Sequence, residues 1–165
     1  MLDTIASLMD ARDYLGAAEW QRQFERAIIE HHAAAYFAGQ GTNTLTAKGD
    51  AELGLLLQTQ LDYLAGFAEA VDALTPAQAA ARAALYAGPL RATYSRGQLA
   101  LWDLPYHPGE GTPCRGNCQC RWDIVVEDLE ELNAHATWVL GAAEHCDGCA
   151  ARAARRYVIR GGVVQ

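Results

Sequence analysis

The chain has 165 residues, 51% of them apolar, and a formal net charge of −7. That length suffices for one good core or for a helical body with a small appended module, while the acidic balance disfavours a general nucleic-acid binder, which needs a basic surface against phosphates. No apolar run approaches the roughly 18 residues of a membrane span, and no hydrophobic signal segment follows Met1, so a secreted disulfide scaffold is not expected.

The first two thirds read as helix. A short helix is predicted from Thr4 to Leu15. From Trp20 onward, Trp20, Phe24, Ile28, Ala35 and Tyr36 recur at helical spacing, and the pattern stops at Gly39, read as a C-terminal cap. A turn-rich connection, Gly39 to Asp50, leads to a long amphipathic helix marked by Leu53, Leu56, Leu57, Leu61, Leu64, Phe67, Val71 and Leu74. Thr75-Pro76-Ala77-Gln78 has a capping threonine, proline at the first helical position and glutamine at the third, the capping-box pattern that opens the next helix. That helix meets Gly88-Pro89, where a kink or break is expected because proline removes a donor and clashes with the preceding turn. It resumes through Leu90, Tyr94 and Leu101. At Trp102 to Pro113 the composition turns to Trp, Pro, Tyr, His and Gly, a loop that separates a helical body, residues 1–101, from a cysteine-rich module, residues 102–165.

All five cysteines fall in that module: Cys114-Arg-Gly-Asn-Cys118-Gln-Cys120 and His145-Cys146-Asp-Gly-Cys149. Two strands are predicted between the clusters, Cys120 to Glu127 and Ala134 to Ala142, with an acidic turn from Asp128 to Asn133. Paired as an antiparallel hairpin, they bring the start of the first and the end of the second to one end of the ribbon, so both clusters converge. A structural zinc ribbon is built this way, with thiolates at about 2.3 Å in a tetrahedral arrangement. Cys114, Cys118, Cys120, Cys146 and Cys149 are the candidate zinc ligands. Cys118-x-Cys120 cannot easily place both thiolates on one ion, so one cysteine, or His145, is a spectator. A redox reading places Cys146 at the N-terminus of a helix, Ala150 to Arg156, but lacks a βαβ context. Thiols without a ligand are the third alternative. Arg152, Arg155, Arg156 and Arg160 fall at a helix C-terminus and in a tail, or form a nucleic-acid or partner contact.

No catalytic residue is named by the sequence. His107-x-x-Glu110 followed by Cys114-x-x-x-Cys118 departs from the zinc deaminase pattern in both spacings. Glu25, Glu30, His31 and His32 lack the paired Glu-x-x-His motif of di-iron bundles and read as solvated helix faces with one histidine packed at an edge. Ser7 and Ser95 lie outside any Gly-x-Ser-x-Gly elbow, and no Gly-rich loop precedes a phosphate-binding Lys-Ser or Lys-Thr pair. Trp122 and Trp138, on the two strands, are expected to pack across the hairpin or against the helices.

Leu85-Tyr-Ala-Gly88, Arg91-Ala-Thr-Tyr-Ser-Arg-Gly97, Leu104-Pro-Tyr-His-Pro-Gly-Glu-Gly, the Asn117 to Cys120 core and Glu144-His-Cys146-Asp-Gly-Cys149 together resemble the C-terminal part of phage head morphogenesis proteins, the minor head proteins of Mu-like phages. The resemblance spans about Gln58 to Cys149. It implies a virion or prohead component, found in the virion or the bacterial host cytoplasm, that contacts portal or capsid proteins, and it implies no catalytic residues. Relative to longer members the chain lacks a large N-terminal region and carries Pro89 in a segment expected to be continuous helix. The expected architecture is mainly α, three or four helices with a zinc-ribbon-like β-hairpin, and the expected role is structural. A zinc-ribbon nucleic-acid-binding regulator acting through Arg152 to Arg160 is the alternative, and an enzyme with its site in the Trp102 to Pro113 loop a third.

Overall fold

A computed structural model describes residues 1–106, 108, 119–142 and 145–165. The described chain is mainly helical with a small four-stranded antiparallel sheet. It divides into two compact units, residues 1–38 with 42–94, and residues 39–41 with 95–165.

The first unit is built on helices whose apolar faces close on one another. α1 (Leu2–Leu15) buries Ile5 and Leu8 and ends at Gly16, whose φ of 74° lets the chain leave the helix at no Cβ cost. α2 (Ala17–Gln40) sets Trp20, Phe24, Ala27, Ile28, His32 and Tyr36 along one buried face. It runs through Gly39. The glycine that ends it is Gly41, at φ 77°, which takes the left-handed position that a helix terminus favours. The connection is correspondingly short, because α3 (Ala47–Ala70) begins well before Leu53: Thr46 caps it by accepting from the Gly49 amide at 3.0 Å, and Asp50 complements the dipole in its first turn. α3 buries Leu53, Leu64 and Phe67 and continues as a 3₁₀ turn, Val71–Ala73.

α4 (Pro76–Ala84) opens on the expected capping box, with Thr75 and Gln78 exchanging side-chain and backbone bonds. It passes into a 3₁₀ turn, Leu85–Ala87, and the helical path breaks at Gly88-Pro89 before α5 (Leu90–Leu101). Trp20, Phe24, Phe67 and Tyr86 meet edge-on or tilted in the centre, with centroids 5.2 to 6.3 Å apart. The Trp20 indole donates to the Leu8 carbonyl at 2.9 Å, so the largest core side chain leaves no buried donor unmet.

In the second unit the strands run in the order β1-β2-β3-β4, all antiparallel. β1 (Arg121–Asp128) and β2 (Asn133–Val139) pair with Trp122 opposite Trp138 and Ile124 opposite Ala136. The expected hairpin is only half of the sheet: β3 (Arg156–Arg160) pairs with β2, and β4 (Val163–Val164) with β3. The segment predicted as an arginine tail is a strand because Tyr157 and Ile159 alternate inward at period two while Arg156 and Arg160 stay exposed. α6 (Asp147–Ala153) lies between β2 and β3 in sequence and starts three residues earlier than predicted.

Trp102, Leu104, Cys120, Trp122, Ala134, Ala136, Trp138, Cys149, Tyr157 and Ile159 form the core of this unit. The segment after α5 is stitched to it. The Asp103 amide donates to the Gly162 carbonyl at 2.7 Å, Asp103 bridges Val163, and the Trp122 indole donates to the Tyr106 carbonyl at 2.8 Å. Among the described residues no helix is long and apolar enough to cross a membrane.

Candidate metal centre

Cys120 immediately precedes β1, whose first residue, Arg121, pairs with Val139, the last of β2. Two residues further on, a Cβ added to Gly141 would sit 2.4 Å from the Gln119 Cβ and 2.6 Å from its carbonyl oxygen, so only glycine allows the two chain ends to lie this close. Cys146 then caps α6, its carbonyl accepting from the Cys149 amide at 3.0 Å and the Ala150 amide at 3.1 Å. Cys149 is fully buried, Cys120 nearly so and Cys146 half-buried, all three within or against the Trp122–Trp138 core.

Register therefore carries Cys120 to the end of the sheet from which the chain departs toward Cys146 and Cys149. His145 is exposed. None of the three described cysteines is in a disulfide. Among the described residues no group of three His, Cys, Asp or Glu side chains is arranged to hold a metal ion, so Cys120, Cys146 and Cys149 do not make a site by themselves. Cys114 and Cys118 lie outside the described residues, as do His107 and Glu110. The described strands are all antiparallel, so no βαβ unit surrounds Cys146-x-x-Cys149 in the way a thioredoxin-like motif requires.

The four arginines after Cys149 have different fates. The Arg152 guanidinium folds back, its carbon 3.9 Å from the Tyr106 ring centroid and 5.5 Å from that of Trp138. Arg160 pairs with Glu127 at 2.8 Å on the opposite sheet face, where His135 also reaches Glu127 at 2.6 Å. The Arg160 hydrogen bond, with smaller help from His135, holds the Glu127 carboxyl below its ordinary range. Arg155 and Arg156 are exposed. The arginines stand out in the sequence but their partners do not, because the pairs join a helix, three strands and a loop.

The helical unit brings no second constellation together. Glu25 is bonded to Gln21, Glu30 to Arg26, and the His31 ring to the Thr4 hydroxyl, while His32 is fully buried against Thr93 at 2.7 Å rather than packed at an edge. An open groove of about 290 Å³ is lined by Gln60, Tyr63, Arg82, Leu85, Tyr86 and Pro89, with the Tyr86 hydroxyl pushed up to about 12 by burial. Comparisons with family models, curated proteins and solved structures find no match to this chain.

Proposed function

We propose that the chain is a non-catalytic assembly protein of the phage head morphogenesis type, with its second unit a zinc-ribbon-like module. Cys146 and Cys149 supply two thiolates, and two of Cys114, Cys118 and Cys120 supply the others. The observation that carries this reading is the register: Arg121 opposite Val139 and Gln119 against Gly141 put the approach to the first cysteine cluster beside the exit toward the second. A four-stranded sheet with one seven-residue helix and the second half of α5 is a small body. Metal binding there is folding free energy, about 10–16 kcal/mol in finger peptides.

The arginines favour assembly over the nucleic-acid alternative. Arg152 is stacked on Tyr106 and Arg160 is paired with Glu127, so of these four arginines Arg155 and Arg156 are left facing solvent without such a partner among the described residues. Two arginines make a weak phosphate contact on a chain of net charge −7. The partner is then protein surface, the portal or capsid of a phage or prophage, met in the virion or the host cytoplasm.

Protein purified from zinc-containing medium is expected to hold about one zinc per chain. Cys146→Ser with Cys149→Ser is expected to lose it and, in the native phage or prophage, to lower the yield of DNA-filled heads without reducing capsid-protein synthesis. Normal particle yield from that double variant would refute the assembly role. DNA binding by the parent that disappears in the variant, with a log-log salt slope of roughly −2 to −4, would establish the regulator instead.

A further inference from the structure

Beside the cysteine end of the sheet, three buried hydrogen-bonding groups have no partner: Arg152 Nη1, Trp138 Nε1 and Tyr157 Oη. Trp138 and Tyr157 are 2% and 8% exposed, so bulk solvent does not reach these atoms. They belong to one cluster. Their rings pack on Trp122 with centroids 5.0 and 4.9 Å away, and the pairing of Ala136 with Tyr157 sets Tyr157 diagonally across from Trp138 on the same sheet face. Arg152 lies over Tyr106 and against Trp138, and its charge acts on the Tyr157 hydroxyl.

Buried donors in native proteins are generally met, and an indole N–H and a phenol O–H beside one guanidinium share a single complement, an acceptor. No carboxylate among the described residues pairs with Arg152. A cation is excluded by its charge, and a neutral acceptor would leave the guanidinium uncompensated. A singly charged planar oxyanion matches the fork of arginine and still has lone pairs for an indole N–H and a phenol O–H. The aromatic walls of Tyr106 and Trp138 suit a small planar group better than a dianion, which would need more than one positive charge.

We propose that Arg152, Trp138 and Tyr157, walled by Tyr106, form a carboxylate-binding site. The carboxylate comes either as a free small ion or as the acidic side chain of a bound peptide. The site does not depend on the metal reading, since every group in it lies outside the cysteine clusters.

The test uses the full chain, ¹⁵N-labelled, at neutral pH and constant ionic strength, titrated separately with sodium acetate, a doubly capped Ala-Glu-Ala peptide and inorganic phosphate. The Trp138 indole N–H signal, identified by its loss in Trp138→Phe, is expected to shift saturably with a carboxylate. Response to acetate and peptide alike points to recognition of any carboxylate, and response to the peptide alone to an acidic segment; both support the site. Tyr157→Phe and Arg152→Lys should each weaken binding by about tenfold or more. Tyr157→Phe should cost no stability in carboxylate-free buffer, because its hydroxyl gives up no bond there. Absence of any shift with both carboxylates, unchanged affinity in Tyr157→Phe, or phosphate binding as tightly as acetate would overturn the proposal. Should Trp138→Phe fail to fold, affinities in the Tyr157→Phe variant, followed by total tryptophan fluorescence, decide the same question.

Discussion

His32 shows how a single buried side chain ties stability to pH. The Thr93 hydroxyl donates to the Pro89 carbonyl at 3.1 Å, so its oxygen must accept from the imidazole at 2.7 Å, which puts the proton on His32 Nδ1. Nε2 is then a bare lone pair, buried and without a partner. Protonation there would create a buried charge and a donor with nothing to receive it. Burial, with the neighbouring His31 adding to it, holds the His32 pKa below its ordinary value of 6.5. The unfolded chain therefore binds more protons than the folded one below about 6.5, and the stability this residue contributes is present above that pH and lost as pH falls through it toward the depressed folded value. Denaturant midpoints are expected to start dropping as pH falls through about 6.5, a window above the range where carboxylates titrate. His32→Asn, which keeps a donor near the Nδ1 position, should flatten that window, while His32→Ala should cost about 2–3 kcal/mol through the lost bond and the cavity. An unchanged pH profile in His32→Asn would show that the acid sensitivity lies elsewhere.

At the scale of elements, the β3–β4 hairpin rests on two residues. Arg160 pairs with Val163, and Gly161 and Gly162 between them have φ of 59° and 79°, the two positive values that a tight type I′ connection demands. An added Cβ at Gly161 meets no atom within 4 Å, so the cost of Gly161→Ala is conformational alone, about 1–2 kcal/mol. Gly161→Asn should recover most of it, since asparagine tolerates the left-handed region; thermal melts of the three proteins decide this. The hairpin also carries the bond from Asp103 to the Gly162 carbonyl and that from Gly162 to the Leu132 carbonyl, so its loss would loosen both the loop after α5 and the β1–β2 turn. This element is written in the sequence as Tyr-Val-Ile-Arg followed by Gly-Gly. Arg156 and Arg160 are the outward positions of its period-two pattern, and as charges among four arginines they mask it. Thr75 and Pro89 were legible because capping and the missing proline donor act within a few residues. The β1–β2 pairing that sets Gln119 against Gly141 was legible too, since antiparallel register is arithmetic. The Arg152 cluster was not, because it joins a loop, two strands and a helix that only the tertiary fold brings together.

The two units have separate cores, and no buried residue is shared between the cluster around Phe24 and Phe67 and the cluster around Trp122 and Trp138. The first is large: four aromatic rings and the apolar faces of α1 to α4 close it without any cysteine. The second holds Cys120 and Cys149 among ten buried residues, so a metal bound by the cysteines would stabilise that core and leave the other untouched. Removing metal from the zinc-loaded chain with a chelator is therefore expected to act on one unit. The near-ultraviolet signal of Trp122 and Trp138, which lie edge to face at 5.0 Å, should collapse, while most of the helical signal at 222 nm, which comes from α1 to α4, persists. Trp20, buried in the first core and bonded to Leu8, supplies an internal reference for the unit that stays folded. Loss of helical signal in parallel with the tryptophan signal would mean that the two cores melt as one cooperative body, and the metal would then have to be regarded as part of the helical fold as well.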